Sequence, residues 1–145
     1  YDPMRDELFS GARGQGATLN GSPLPPLPQT PLERAVIALD WSAEPDVRAR
    51  SLAVAARLLP DCHTGRATGS AALTQVYVAL GRVHLYFHLN LQPWDIAAAA
   101  AILYEVGGEV RKPDGSQWHL GEPSIVTGHP SLLDRLLPLV TDSAL

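Results

Sequence analysis

The chain is poor in the residues that would mark it for an oxidising compartment, a membrane or a nucleic acid. Its one cysteine, Cys62, cannot close an internal disulfide and gives no support to a structural zinc site. That favours a reducing, cytoplasmic setting. The longest apolar run, Ile96 to Leu103, falls far short of the ~20 residues that cross a bilayer, and no charged-then-apolar signal segment opens the chain. Basic residues are not in excess either. Eleven Lys and Arg stand interspersed with fifteen Asp and Glu, for a formal net charge of -4, so there is no stripe to follow a phosphate backbone and neither nucleic acid nor membrane is expected as a partner. No methionine opens the sequence: Tyr1 enters directly on a strand-and-turn pattern, and the expectation is that a preceding portion is missing.

What is present suits one soluble globular domain with a core, 46% of its 145 residues being hydrophobic and 18% charged. Glu7 to Asn20 reads as a hairpin with a glycine-rich bend, and Asn20-Gly21 adds a turn. Residues 22–31, with Pro23, Pro25, Pro26, Pro28 and Pro31, are expected to form an extended connector without regular hydrogen bonding. Ala35 to Leu39 is a continuous apolar run of strand length, as in a strand covered on both faces. A helix should follow from Ser42 or Glu44 to Pro60, then a short strand Cys62 to Arg66, and then a helix capped near Thr68 to Ser70 and ending at Gly81.

Val83 to Leu89 reads as a strand, and Pro93 opens a helical run closed by Gly107-Gly108. Strands at Glu109 to Lys112 and Ser124 to Thr127 follow, and a helix over Ser131 to Val140, bent at Pro138, ends the chain. Strands alternate with helices, which predicts an α/β layered domain. Tyr86, Phe87 and Trp94 are expected to pack in the core.

Two segments could carry chemistry. Trp94-Asp95 places a carboxylate in the first turn of an alanine-rich helix, where the helix dipole favours it and where it could offer oxygen to a hard cation such as Mg²⁺. An ordinary helix start carries an aspartate too. Thr68-Gly69-Ser70-Ala71 lets a ligand approach the free N–H groups of a helix start, although any helix needs a cap. His88 reads either as a strand residue bonded within the fold or as a ligand contact. His84 shares its face by period-two alternation, but no further His or Cys is placed to complete a zinc site. His63, His119 and His129 read as surface or turn residues.

Taken together, Trp94-Asp95-Ile96-Ala97-Ala98 ending Glu105-Val106-Gly107-Gly108, Gly69-Ser70-Ala71-Ala72-Leu73, Arg13-Gly14-Gln15-Gly16-Ala17 with Leu19-Asn20-Gly21, and Tyr1-Asp2-Pro3 resemble the inositol monophosphatase family over nearly the whole chain. The resemblance implies that residues 1–145 are the C-terminal portion of that superfamily's layered αβαβα sandwich. It implies a Mg²⁺-dependent phosphomonoesterase of inositol, sugar or polyol phosphates, with Asp95 as a metal ligand that also touches a substrate hydroxyl and with Gly69, Ser70 and Ala71 lining the alcohol side. Gln15 and Gly16 read as structural.

The family's main metal-binding segment, a glutamate and then Asp-Pro-(Ile or Leu)-Asp-Gly-Thr, would lie upstream of Tyr1. Asp2-Pro3-Met4-Arg5-Asp6 resembles it only superficially, since Arg5 stands where an acid is needed, and Asp2 and Asp6 read as strand-edge residues. The isolated chain is therefore expected to be inactive, because one exposed carboxylate holds Mg²⁺ weakly. His88 stands where many family members have a glutamate that accepts hydrogen bonds from the sugar ring, which leaves room for another phosphate ester. Fructose-1,6-bisphosphatase, 3′-phosphoadenosine phosphatase and a non-catalytic binding or assembly domain are the alternatives. The resemblance further implies a homodimer, and exposed apolar surface implies self-association or packing against a missing segment.

Overall fold

The structure, a computed structural model, describes residues 1–141. Strands β1 (Phe9–Ala12), β2 (Gly16–Leu19) and β3 (Ser22–Pro23) form a small antiparallel sheet. A second sheet holds β4 (Val36–Leu39), β5 (Thr64–Arg66), β6 (Leu85–His88), β7 (Glu109–Arg111) and β8 (Ile125–Gly128) in the order β5-β4-β6-β8-β7. Within it β4 runs parallel to β5 and β6, and β8 runs antiparallel to β6 and β7. The helices are α1 (Pro45–Leu58), α2 (Ala71–Ala79), α3 (Pro93–Glu105) and α4 (Pro130–Thr141).

Period-two alternation divides the core between the two faces of the five-stranded sheet. Ile37, Leu39, Leu85, Phe87 and Val126 point to one side, where they meet Val54 and Leu58 of α1 and Leu132, Leu133 and Leu136 of α4. Ala38, Tyr86, Val110 and Ile125 point to the other, against Val76 of α2 and Ile96, Ala99 and Leu103 of α3. Helix α3 also packs on β1 and β2, burying Phe9 and Ala17. The layers thus run helix pair, large sheet, helix pair, small sheet, and the expected α/β fold is present.

Three expectations are corrected. Trp94 is 76% exposed rather than a core anchor. The buried residues of α3 are Ile96, Ala99, Ala100, Ile102 and Leu103, and a residue two positions before Ile96 lies about 200° around the helix, outside the arc they span. The proline-rich connector does carry hydrogen bonds: Ser22 and Pro23 pair with β2, and the Leu24 and Leu27 N–H groups donate to Ala17 O at 2.8 Å and Val106 O at 2.7 Å. Proline lacks a donor, but the residues between prolines do not. His84 lies outside β6, its Nδ1 accepting from the Val36 N–H at 2.9 Å. The expected stripe on α4 stands as far as Leu137, while the side chain of Val140 lies outside those described.

The Glu-x-Gly-Gly end of α3 has a physical reading. The Glu105 carboxylate accepts the Gly14 N–H at 2.9 Å and the Gly16 N–H at 2.8 Å, tying the helix to the β1–β2 turn. Gly107, at φ +81°, ends the helix in the left-handed region. Gly108 lets the chain close on the core, since a Cβ there would lie 2.4 Å from Leu103 Cδ1.

Candidate functional site

Because β4 and β6 are parallel neighbours, their carboxyl ends emerge on the same edge of the sheet, where open α/β sheets hold ligands. Asp40 follows β4 and His88 ends β6. The starts of α2 and α3 reach the same place, bringing Gly69, Ala71 and Asp95 around a pocket of about 430 Å³ that Asp40, His88, Trp41, Tyr86 and Leu91 also line. Four of the sequence-predicted residues, Gly69, Ala71, His88 and Asp95, are therefore brought together. Ser70 is not among the lining residues: its hydroxyl caps α2, accepting from the Leu73 N–H at 3.5 Å.

Each group is held by its neighbours. Asp95 Oδ2 accepts the Gln92 N–H at 2.9 Å while the Asp95 N–H donates to Gln92 O at 2.9 Å, which closes the first turn of α3 reciprocally. Its Oδ1 has no hydrogen-bond partner among the described residues. Gln75, fully buried in α2, donates through Nε2 to the Asp95 carbonyl at 3.0 Å and to the Ala71 carbonyl at 3.1 Å, so one side chain fastens both helix starts. Asp40 Oδ1 accepts the Thr68 and Gly69 N–H groups at 3.2 and 3.1 Å. Gly69 has φ +74° with open space where a Cβ would stand, so its backbone shape, not crowding, calls for glycine.

Burial raises the Tyr86 phenol well above its ordinary pKa, with Asp40 adding to the shift. Tyr86 thus stays protonated and faces Asp40 Oδ2 at 3.4 Å. Burial lowers His88 below the usual imidazole value, against the opposing pull of Asp40 and Asp95, and its Nδ1 accepts the Asn90 N–H at 3.0 Å. Two acids, a neutral histidine and a small-residue turn therefore converge. They suit an alcohol-bearing ligand, and the carboxylate oxygens suit a hard cation in kind. Among the described residues no group of three or more His, Cys, Asp or Glu is placed to hold an ion.

A larger cavity, about 880 Å³, opens between the C-terminal half of α3 and β7, beside Tyr104 and Trp118. None of the predicted residues borders it. Its Arg111 is engaged by Glu109 and Asp134, each at 2.6 Å, so the smaller pocket is the one with convergent chemistry.

The sequence model of the inositol monophosphatase family matches residues 1–144. The chain belongs to this family. Inositol-1-monophosphatase of Bacillus subtilis strain 168 is 36% identical over 133 residues, covering 91% of this chain and 50% of that protein. Nus factor SuhB of Escherichia coli K12 is 37% identical over 143 residues, covering 98% and 54%. A staphylococcal inositol monophosphatase, IMPase-II, superposes with TM-score 0.84 and 33% identity in its complex with inositol monophosphate, covering 95% of this chain and 54% of that one. Its complex with 2′-AMP superposes with TM-score 0.82 and 32% identity, covering 97% and 56%. The chain spans about half the length of these relatives. No helix among the described residues is long and apolar enough to cross a membrane.

Sequence reasoning missed Asp40, Trp41 and Gln75. Asp40 had a signal: an acid closing a wholly apolar strand marks the carboxyl edge of a parallel sheet, where ligands collect, and Trp41 is its neighbour in sequence. For Gln75 the signal was a polar residue on the apolar stripe of a short helix, which has to find a partner within the fold.

Proposed function

We propose that the complete protein is a Mg²⁺-dependent phosphomonoesterase of inositol, sugar or polyol phosphates, and that this chain supplies one metal-binding carboxylate and the alcohol-binding side of the active site. The observation that carries this reading is the convergence of Asp95, the Gly69–Ala71 turn and His88 on one pocket. The relatives named as inositol monophosphatases, and the one solved with inositol monophosphate, support it.

Asp95 would hold the ion through its unpartnered oxygen, and the remaining ligands would come from outside residues 1–145. When bound, Mg²⁺ lowers the pKa of a water and offsets charge on the phosphoryl oxygens and the leaving alkoxide. This chain's residues do the positioning: the Gln92 N–H fixes the Asp95 carboxylate, Gln75 fastens the two helix starts, and Asp40 fixes the turn at Gly69. A carboxylate that serves metal and substrate acts on the transition state, so Asp95→Asn in the complete protein should lower kcat/KM by about a hundredfold or more and raise the Mg²⁺ requirement. Phosphate release over a panel of esters, with and without Mg²⁺, tests this. Metal-independent turnover, or wild-type rates in the variant, would exclude it.

A binding or assembly role is the second reading, favoured by the relatives that carry the name Nus factor at 37% identity. It predicts no phosphate release from any ester by the complete protein.

A further inference from the structure

His88 is 7% exposed, and among the described residues its one hydrogen bond is the Asn90 N–H donating to Nδ1 at 3.0 Å. A nitrogen that accepts has to keep its lone pair, so the hydrogen of the neutral ring sits on Nε2. Nε2 has no partner, yet it is not among the fully buried unpartnered atoms. It therefore reaches open space, and the open space bordered by His88 is the pocket. The two carboxylates on that wall, Asp40 and Asp95, only accept. Trp41, next to Asp40, lines the same pocket and is 47% exposed, so the indole has surface free to cover a planar ring.

We infer that His88 donates through Nε2–H to the alcohol half of the substrate beside Trp41, and that the pocket therefore favours phosphate esters of nucleosides over those of plain polyols. This rests on the phosphatase reading. A hydroxyl both donates and accepts, so a polyol is served by Asp40, Asp95 and His88 alike. An unprotonated ring nitrogen or a base carbonyl only accepts; the carboxylates repel it and His88 is its partner. Stacking on Trp41 adds selectivity on the order of tenfold for a flat base and little for a puckered polyol.

The test compares kcat/KM for adenosine 2′-phosphate and inositol 1-phosphate in the complete protein. His88→Glu replaces the donor by an acceptor, and the ratio should fall by about tenfold or more. His88→Gln, whose amide donates, should restore most of it. Trp41→Ala should lower the same ratio by about tenfold, with Trp41→Phe restoring it. Equal losses on both esters, or a wild-type preference for the inositol ester, would overturn the inference. If no ester is turned over, the phosphatase reading fails separately, and calorimetry of adenosine binding decides. Affinity lost in Trp41→Ala and His88→Glu supports the inference, and equal affinity or none in the wild type overturns it. Nitrogen NMR of the wild-type protein reads the tautomer directly, and a protonated Nδ1 on His88 at pH 7 would also overturn it.

Discussion

Removing the Glu105 carboxylate should loosen the β1–β2 turn without touching the pocket. Its two oxygens accept one backbone N–H each, from Gly14 and Gly16. A hydrogen bond to a charged group contributes about 1.5–3 kcal/mol, and solvent access at this turn reduces that to about 1 kcal/mol per bond. Glu105→Ala loses both and should cost about 2 kcal/mol, whereas Glu105→Gln keeps one carbonyl acceptor and should cost about 1 kcal/mol. Hydrogen exchange on the complete protein reads this locally: the Gly14 and Gly16 amides should exchange about thirtyfold faster in Glu105→Ala and about fivefold faster in Glu105→Gln. Unchanged protection in the alanine variant would refute the assignment. An equal loss in both variants would show that the charge, rather than the pair of acceptors, holds the turn.

Gly108→Ala should destabilise the protein by about 1–3 kcal/mol through overpacking, because the added methyl meets Leu103, which is fully buried, and Leu27; a wild-type urea midpoint would count against this. His84 is pushed below its ordinary pKa by burial, and the Val36 N–H needs its lone pair. The unfolded chain then binds the extra proton, so His84 should reduce stability as pH falls below about 6.5 and have no such effect above it. Melting temperatures from pH 8 to 5, compared with His84→Gln, check that slope. The 145-residue chain alone should self-associate through exposed Tyr1, Met4, Leu8 and Trp94, and a light-scattering mass equal to a 15.5 kDa monomer would show otherwise.

Much of the architecture was legible because period and punctuation agreed. Ala35 to Leu39 is apolar on both faces and forms β4, covered by helices on both sides, and Pro93 and Gly107 bracket α3 as their backbone preferences require. Trp94 misled because aromatic character says nothing of helical phase, and the phase was fixed by Ile96, Ala99 and Leu103. Asp95 and Gly69 could be singled out from local spacing. That they share a pocket could not, because their meeting depends on Gln75 fastening α2 to α3 and on Asp40 reaching across from β4, contacts 20 or more residues apart in sequence.

The groups on one wall of the pocket, Asp40, Trp41 and His88, sit where β4 and β6 run out, Asp40 and Trp41 just past β4 and His88 on the last rung of β6, opposite Ile125. Tolerance to change should therefore be uneven along these strands. Exposed Trp41 should be replaceable at little cost to folding, whereas Asp40 and His88 also hold the backbone N–H groups of Thr68, Gly69 and Asn90, and the residues just before them, Leu39 and Phe87, are buried. Under the proposed function, a change of substrate preference would therefore disturb the scaffold least when it begins at Trp41.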